Sequence, residues 1–259
     1  MSIIDARASV SRSARIGKDA CIGAFSVIGD EVELGEGCVI EPHAVVHGPA
    51  RIGKKNHVRS FAAIGCDPQD ISFAGERVSL EIEDGNEFYE FVTVSRGTKK
   101  GGGATRIGSN NMFMAYSHVA HDCRVGNHTI FVNGATLAGH VTVEDNATIG
   151  AFCTVHQFCR VGRHAYVAAL TAITQDVPPF SKVVQSRDVR CFAVNSIGLQ
   201  RHGFSPERIK TIERAFRILL RSKLNTTQAL ERMRATLNGS EDVSELIHFI
   251  ETAERGLIK

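Results

Sequence analysis

The sequence lacks an excess of charge of either sign, because 30 Lys and Arg residues face 28 Asp and Glu residues and leave a formal net charge of +2. Proteins that bind along nucleic acid usually have a strong basic surplus, so this composition disfavours that class. Hydrophobic residues make up 43% of the chain, which excludes intrinsic disorder. The 259 residues predict a compact soluble protein of one large domain, or one domain with an appendage.

The sequence also lacks segments that direct a chain into or across a membrane. No run approaches the ~18 consecutive apolar residues that a spanning helix needs. The first ten residues, MSIIDARASV, contain no basic segment followed by an apolar one. We therefore expect a cytoplasmic protein without stable membrane insertion.

Paired cysteine motifs are missing as well. The seven cysteines are an odd number, and no two of them are spaced as Cys-x-x-Cys. Neither a disulfide framework nor a zinc ribbon is therefore predicted. We expect reduced thiols that serve as small buried side chains.

What the sequence does contain is a six-residue repeat of apolar residues. Every sixth residue from Ile4 to Ile64 is Ile, Val or Leu, and the pattern returns at Ile82 and again from Ile107 to Ile173. This period predicts a parallel β-helix, in which three short strands make an 18-residue coil. Small residues between the repeated positions would fill the interior, and glycine would suit corners with unusual backbone angles.

The repeat divides the chain into two predicted domains. Residues 1–190 are assigned to the β-helix, with loops expected near residues 66–81 and 98–106, where the repeat pauses. Residues 191–259 are assigned to an α-helical C-terminal domain that covers the open end of the β-helix.

The helical domain has recognisable start signals. Ser205 followed by Pro206 is typical of a helix cap with proline at the first helical position. Two further helices are predicted near Thr227–Leu237 and Glu241–Glu254.

Histidines recur at one position of the predicted coil. His121, His140 and His156 are spaced by about 18 residues, with an offset of one or two, and His118 lies close to the first of them. Such a column indicates a functional cleft. In one chemistry His121 is a general base that Asp122 orients. In the other, His118, His121 and His140 bind Zn²⁺ and activate water.

Longer motifs resemble those of the UDP-N-acetylglucosamine O-acyltransferases that begin lipid A synthesis. They are His118-Val-Ala-His121-Asp122, Ala-Gly139-His140-Val, Val-His156-Gln157-Phe, Asp67-Pro-Gln69-Asp70, Arg96-Gly97-Thr98 with Gly101-Gly102-Gly103, Gln175-Asp176-Val-Pro-Pro179 and Arg255-Gly256-Leu-Ile. The likeness spans essentially the whole chain. It implies a mainly β fold, a left-handed parallel β-helix of hexapeptide repeats with a C-terminal α-helical domain. It also implies a homotrimer with active sites between adjacent subunits.

The resemblance implies a reaction as well. An (R)-3-hydroxyacyl group moves from acyl carrier protein to the 3-position of UDP-N-acetylglucosamine, without a metal or another cofactor. By position, His121 is the base, Asp122 supports it, and the backbone N–H of Gly139 holds the oxyanion. Ala169 occupies a position that tunes acyl length, where a methyl group in place of glycine should shorten the acyl pocket.

Further substrate contacts are implied by the same resemblance. The substrate and acyl cleft would be lined by His118, His140, His156 and Gln157. The sugar nucleotide would be contacted by Gln69, Asp70, Asn195 and Arg201.

The sequence departs from the family pattern where the sugar nucleotide is expected. Ser72 stands two positions after Asp70, where the family usually has a basic residue, and Ile197 stands where an acid is usual. The segment 185–190 also differs, and Arg187 or Arg190 within it could supply the missing cation. A UDP-sugar with a 3-amino group is therefore an alternative acceptor.

Basic residues gather between Arg201 and Lys223, where seven Lys and Arg residues face only Glu207 and Glu213. This local charge suits a strongly acidic partner such as acyl carrier protein. Two alternatives remain open: an N-acyltransferase of the same pathway, and an inert hexapeptide-repeat scaffold.

Overall fold

A computed structural model of the chain describes residues 2–185, 189–222 and 224–259. Its short strands form three sheets that wind into a prism, because most strands pair in parallel with the strand three further along the chain. The register follows the predicted 18-residue coil, since Ile4 pairs with Ile22 and Ile28 pairs with Val46. The predicted left-handed parallel β-helix with C-terminal helices is confirmed.

Within the described residues, each face of the prism is one sheet. The first sheet comprises β1 (Ile3–Ile4), β4 (Cys21–Ile22), β7 (Val39–Ile40), β10 (His57–Val58), β13 (Glu87–Phe88), β16 (Met112–Phe113), β19 (Ile130–Phe131), β22 (Thr148–Ile149), β25 (Tyr166–Val167), β27 (Ser181–Gln185) and β28 (Val189–Val194). The second comprises β2 (Ser9–Val10), β5 (Val27–Ile28), β8 (Val45–Val46), β11 (Ala63–Cys66), β14 (Thr93–Ser95), β17 (His118–Val119), β20 (Thr136–Leu137), β23 (Thr154–Val155) and β26 (Ala172–Ile173). The third comprises β3 (Arg15–Ile16), β6 (Val32–Leu34), β9 (Ala50–Ile52), β12 (Ser79–Ile82), β15 (Ala104–Ile107), β18 (Arg124–Val125), β21 (Thr142–Val143) and β24 (Arg160–Val161).

The interior of the prism is filled by the repeated apolar residues. Ile64 and Leu137 are fully buried, and the rings of Phe88, Phe113 and Phe131 stack at centroid distances of 4.9 and 4.8 Å. Burial of these side chains is the main driving force for stacking one coil on the next.

The strands are joined by two-residue turns that form three edges of the prism. The first edge joins the first sheet to the second, the second edge joins the second sheet to the third, and the third edge completes the coil. The second residue of many turns has a positive φ, for example Phe61 (64°) on the first edge, Asp122 (61°) on the second and Lys55 (53°) on the third.

Gly17, which directly follows the repeated residue Ile16, does not have the left-handed corner conformation predicted for glycine, although Gly37 and Gly134 do. Many left-handed corner positions are held by residues other than glycine. Gly17 is needed for space instead, because a Cβ atom there would lie 2.5 Å from the carbonyl carbon of Gly35 in the next coil. Stacked coils approach too closely at these positions to admit a side chain.

Two loops leave the prism at the second edge. One joins β11 to β12 and the other joins β14 to β15. Their bases are tied together, since Arg96 N donates to Cys66 O at 2.8 Å and Ser79 N donates to Gly103 O at 2.8 Å.

The helical region comprises α1 (Ser196–Arg201), α2 (Pro206–Arg221), α3 (Thr226–Thr236) and α4 (Glu241–Glu251). The predicted cap is confirmed, because Ser205 Oγ accepts a hydrogen bond from Arg208 N at 3.3 Å. The first helix begins later than residue 191, since Val189–Val194 pairs antiparallel with β27 and extends the first sheet.

The helices pack against the last coils of the prism. Arg160 Nη2 donates to Phe249 O at 2.8 Å, and Arg163 Nε donates to Glu245 Oε1 at 2.7 Å. These contacts join α4 to the end of the β-helix. Among the helices of the described residues, none combines the length and apolar character needed to cross a membrane.

Candidate active site

His121 and Asp122 form a turn on the second edge, between β17 and β18. The Nδ1 atom of His121 lies 2.8 Å from Oδ2 of Asp122. The Asp122 side chain is fully buried, whereas 13% of the His121 side chain is exposed. The carboxylate therefore fixes the imidazole by one nitrogen. No residue within the described ranges hydrogen-bonds the other nitrogen, Nε2.

The buried carboxylate of Asp122 is held by the loop between β14 and β15. Thr98 N donates to Oδ1 at 2.7 Å, and Thr98 Oγ1 donates to Oδ2 at 2.7 Å. A Cβ atom on Gly101 would lie 2.0 Å from the Asp122 Cγ atom, so only glycine leaves room for the carboxylate. Hydrogen bonds of this kind offset the cost of burying a charged group.

His140 lies one coil beyond the dyad of His121 and Asp122. It holds the turn position of Asp122, not that of His121, so the two imidazoles meet edge to face at 5.2 Å and 89°. Its Nε2 atom lies 3.6 Å from Asp122 Oδ2, and its ring stacks on Phe158 at 4.5 Å. The neighbour of His140 in the next coil is therefore a phenylalanine and not a third imidazole.

His156 precedes the Gln157–Phe158 turn of the next coil and is exposed. Its Nδ1 atom lies 3.1 Å from Gln157 O and 3.3 Å from Arg255 Nη2. His156 therefore lies next to the predicted column of imidazoles, one position before the turn, and the exposed Gln157 holds the turn position of His121.

Gly139 lies directly beside the open nitrogen of the dyad. A Cβ atom at this position would lie 2.5 Å from His121 Cε1 and 2.8 Å from His121 Nε2. Glycine is therefore required for the imidazole to lie where it does. Within the described residues, the backbone N–H of Gly139 has no hydrogen-bond acceptor.

His118 lies on the outer face of β17, where its Nδ1 atom is 2.7 Å from Thr93 Oγ1. Burial lowers the pKa of His118 below its ordinary value, and the charge of His121 lowers it further. Within the described ranges, the group whose possible ligand atoms lie within 4.8 Å of one another is His121, Asp122 and His140. His118 is not in that group, so the predicted three-imidazole arrangement does not form.

Asp70 and Gln69 lie in the loop between β11 and β12. Asp70 Oδ1 accepts hydrogen bonds from Ser72 N at 2.7 Å and from Ser72 Oγ at 2.9 Å. These two bonds lower the pKa of Asp70, and the positive charges of His121 and Lys100 contribute in the same direction. Asp70 is therefore a carboxylate whose orientation is set by Ser72 within its own loop.

Other predicted site residues lie elsewhere in the subunit. Asn195 caps α1, accepting from Gly198 N at 3.3 Å, and its Nδ2 donates to His164 O at 3.0 Å on the third edge. Arg201 is exposed at the end of α1, and Ala169 lies in a turn of the first edge.

The segment considered as a source of the missing cation is described only in part. Arg187 lies outside the described residues. Arg190 lies in β28, opposite Val184.

Thr98, Gly101 and Phe158 belong to the sequence motifs, but the sequence predicts no role for them at the site. A step of 18 residues from His140 leads to Phe158, so the repeat could have revealed it. Thr98 and Gly101 lie in a loop outside the repeat, where no periodic signal exists.

The assembled groups have a defined chemical capability. An imidazole that is fixed through Nδ1 and open at Nε2 can take a proton from a hydroxyl group. A neighbouring unpaired backbone N–H can stabilise an oxyanion that forms close by. The arrangement suits acyl transfer to a hydroxyl.

Three protein-family models match parts of the chain. Residues 176–258 match the second domain of UDP-N-acetylglucosamine O-acyltransferase. Residues 104–139 match the bacterial transferase hexapeptide, and residues 13–42 match the hexapeptide repeat of succinyl-transferase.

Curated relatives match over their full length. A protein of Halorhodospira halophila is 49% identical over 100% of both chains, and one of Xylella fastidiosa is 45% identical over 100% of this chain and 98% of its own. Both are named acyl-(acyl-carrier-protein)–UDP-N-acetylglucosamine O-acyltransferase.

Solved structures agree with the sequence relatives. The UDP-N-acetylglucosamine acyltransferase of Bacteroides fragilis superposes with a TM-score of 0.97 at 37% identity, covering 99% of this chain and 100% of that one. The Francisella novicida enzyme of the same description gives 0.95 at 36% identity, with coverage of 99% and 94%.

Proposed function

The chain belongs to the family of UDP-N-acetylglucosamine O-acyltransferases, and on that premise we propose that His121 is the general base of acyl transfer and that Asp122 orients it. The enzyme transfers an acyl group from acyl carrier protein to UDP-N-acetylglucosamine. We assign the acyl group as (R)-3-hydroxyacyl and the acceptor as the sugar 3-hydroxyl, which makes the reaction the first step of lipid A synthesis.

The proposed reaction proceeds through a tetrahedral intermediate. His121 Nε2 takes the proton of the 3-hydroxyl as that oxygen bonds to the thioester carbonyl carbon. The carbonyl electrons move to oxygen, and the N–H of Gly139 donates a hydrogen bond to the oxyanion, an interaction typically worth ~3 kcal/mol. When the intermediate collapses, the C–S bond breaks and the proton on His121 passes to the leaving sulfur.

The observation that supports this mechanism is the orientation of one imidazole. The 2.8 Å contact between His121 Nδ1 and Asp122 Oδ2 directs the Nε2 atom away from the buried carboxylate and toward Gly139. The proposed base and the proposed oxyanion donor therefore lie side by side in adjacent coils. The roles proposed for them need no metal ion.

The test is a product assay with (R)-3-hydroxyacyl carrier protein and either UDP-N-acetylglucosamine or its 3-amino analogue. We expect an ester of UDP-N-acetylglucosamine, a rate unchanged by EDTA, and a kcat about a thousandfold lower for His121→Ala. His248→Ala, on the exposed face of α4, is the matched control and should retain the wild-type rate. Full activity in His121→Ala would remove the mechanism, and a preference for the 3-amino acceptor would change the assigned substrate.

We propose that the active enzyme is a homotrimer. Ala169 lies on the first edge and His121 on the second, so both can line one acyl cleft only if a neighbouring copy contributes the first edge. That edge also exposes Phe61, Phe91 and Tyr116, which stack at centroid distances of 5.3 and 4.9 Å. Light scattering should give about three times the chain mass of 28.1 kDa. A monomer with full activity would contradict the proposal.

We further propose that acyl carrier protein docks on the basic face of α2. Arg208 is paired with Asp242 at 2.8 Å, and Lys223 lies outside the described residues. The remaining basic side chains of the helix are exposed: Lys210, Arg214, Arg217 and Arg221. Opposite charge on the carrier protein would steer its approach, so the rate of association should fall as salt is added.

We place the reaction in the cytoplasm. The proposal is supported by the thiols, of which five are buried and all seven are unpaired. Burial raises the pKa of Cys123 to about 12, which keeps it an unreactive thiol. Reduced, buried cysteines are typical of proteins from reducing compartments.

A further inference from the structure

We propose that Lys100 is the cation that binds the diphosphate of the sugar nucleotide, an assignment that rests on the proposed function. Lys100 Nζ donates to Ser72 Oγ at 3.0 Å, and Ser72 Oγ donates to Asp70 Oδ1 at 2.9 Å. The lysine thus reaches from the loop between β14 and β15 to the loop between β11 and β12. Its ammonium group lies next to the carboxylate assigned to the sugar nucleotide.

The backbone that carries Lys100 is anchored to the dyad. Thr98, two residues before it, hydrogen-bonds both carboxylate oxygens of Asp122, and Gly101, the next residue, packs against the same carboxylate. Gly103 N also donates to Thr98 O at 2.8 Å. The position of Lys100 is therefore set relative to His121, and little backbone freedom has to be lost when a ligand binds.

Lys100 makes no direct ion pair within the described residues, in contrast to the neighbouring arginines. Each of these arginines contacts a carboxylate: Arg77 pairs with Glu31, Arg96 with Asp67, and Arg106 with Glu81. Across the described ranges, no carboxylate oxygen lies within the 4.0 Å ion-pair distance of Lys100 Nζ, whose partner is the neutral Ser72 hydroxyl. An incoming anion would therefore break no ion pair.

The geometry of the acceptor places its diphosphate near this ammonium. The diphosphate is attached to C1 of the sugar, two bonds along the ring from C3. When the 3-hydroxyl faces His121 Nε2, the diphosphate must lie close to the dyad. Hydrogen bonds link the groups concerned: Lys100 reaches Asp70 through Ser72, and Thr98 of the same loop binds the Asp122 carboxylate of the dyad.

The position of the contact also accounts for a departure in the sequence. Ser72 stands where the resembled family usually has a basic residue. Lys100, in the loop between β14 and β15, brings a positive charge to Ser72. A cation is therefore present at this position although the loop between β11 and β12 does not supply it.

The experiment measures binding of UDP-N-acetylglucosamine by calorimetry, without acyl donor, followed by kinetics. Lys100→Ala should weaken binding and raise KM for the sugar nucleotide by about tenfold, as expected for one hydrogen bond between charged groups. The kcat should change by less than about twofold. Lys99→Ala is the matched control, since Lys99 is exposed on the same loop and its charge acts on Glu76. It should bind as the wild type does.

Two further measurements distinguish a diphosphate contact from a structural effect. Lys100→Ala should weaken binding of UDP but not of uridine. Adding Ser72→Lys to Lys100→Ala should recover most of the lost affinity. The new lysine is attached at residue 72, whose side chain contacts the Lys100 ammonium in the wild type. Equal binding by Lys100→Ala and Lys99→Ala, or equal losses for UDP and uridine, would overturn the assignment. Absence of UDP-N-acetylglucosamine binding to the wild type would instead overturn the proposed function.

Discussion

The first and second edges of the prism share one backbone and differ in chemistry. Phe61 on the first edge and Asp122 on the second both hold the left-handed position of a two-residue turn, with φ of 64° and 61°. On the first edge the side chains are exposed rings stacked in a column. On the second edge the turns carry His121, Asp122 and His140, with the single ring of Phe158 stacked on His140, and two loops leave the prism there. The repeat therefore supplies the turn, whereas the side chains and the inserted loops supply the function.

The largest effect is expected from charged substitutions on the first edge. Phe61→Glu combined with Phe91→Glu places two adjacent charges in the proposed subunit contact, and the dissociation constant of the assembly should rise more than about a hundredfold. Analytical ultracentrifugation measures it. Both side chains are about half exposed in the single subunit, at 52% and 43%, so the melting temperature of the isolated chain should change little. An intact trimer in this variant would place the contact elsewhere.

The next prediction compares the same substitution at one glycine of each edge. Gly101→Ala drives a methyl group into the Asp122 carboxylate, so kcat should fall about a hundredfold. Gly134→Ala on the first edge meets only the ring of Phe152, which is 64% exposed and can swing aside. Its positive φ of 70° should cost about 1 kcal/mol of stability, while kcat stays near the wild-type value. Similar kcat values for the two variants would remove the distinction between the edges.

A smaller effect sharpens the description of the second edge. Thr98→Val keeps the shape of the side chain but removes the hydroxyl that donates to Asp122 Oδ2. We expect kcat to fall about tenfold with KM for the sugar nucleotide unchanged, because one bond that positions the dyad is lost. Thr98→Ser restores the hydroxyl and should restore the rate. Equal losses in both variants would show that Thr98 contributes packing alone.

A last effect, on stability and not on rate, concerns the third edge, where His164 is buried. Burial, followed by the nearby charge of Arg163, lowers the pKa of His164 from 6.5 to about 4. The unfolded chain then binds more protons between these two values, so the free energy of unfolding should decrease as pH falls from about 6.5 toward 4, by about 1 kcal/mol per pH unit. Other charged groups near His164 are His202, Asp242 and Arg208.

Denaturant unfolding at several pH values checks this contribution. In His164→Phe the contribution should disappear, since phenylalanine cannot bind a proton and can keep the contacts with Phe180 and Phe204. The difference in the free energy of unfolding between the wild type and this variant separates the contribution of His164 from those of the other titrating groups. A difference that does not depend on pH would contradict the assignment.

Much of the fold and part of the site could be predicted from the sequence. The six-residue spacing predicts stacked coils, and Ser205 with Pro206 predicts the start of α2, because both signals are local or periodic. Register within a turn is harder to predict. The offset between His121 and His140 is only one residue, yet it places His140 beside Phe158 and not in line with the first imidazole.

The sequence by itself determined the stacked coils, their length and the neighbouring positions of His121 and Asp122, because apolar residues that recur every six positions can all face one interior when three short strands make a coil. The tertiary structure alone decided what holds and surrounds that dyad. Thr98, Gly101 and Lys100 lie in a loop without periodicity, so their contacts with Asp122 and Ser72 depend on where two loops meet at one edge.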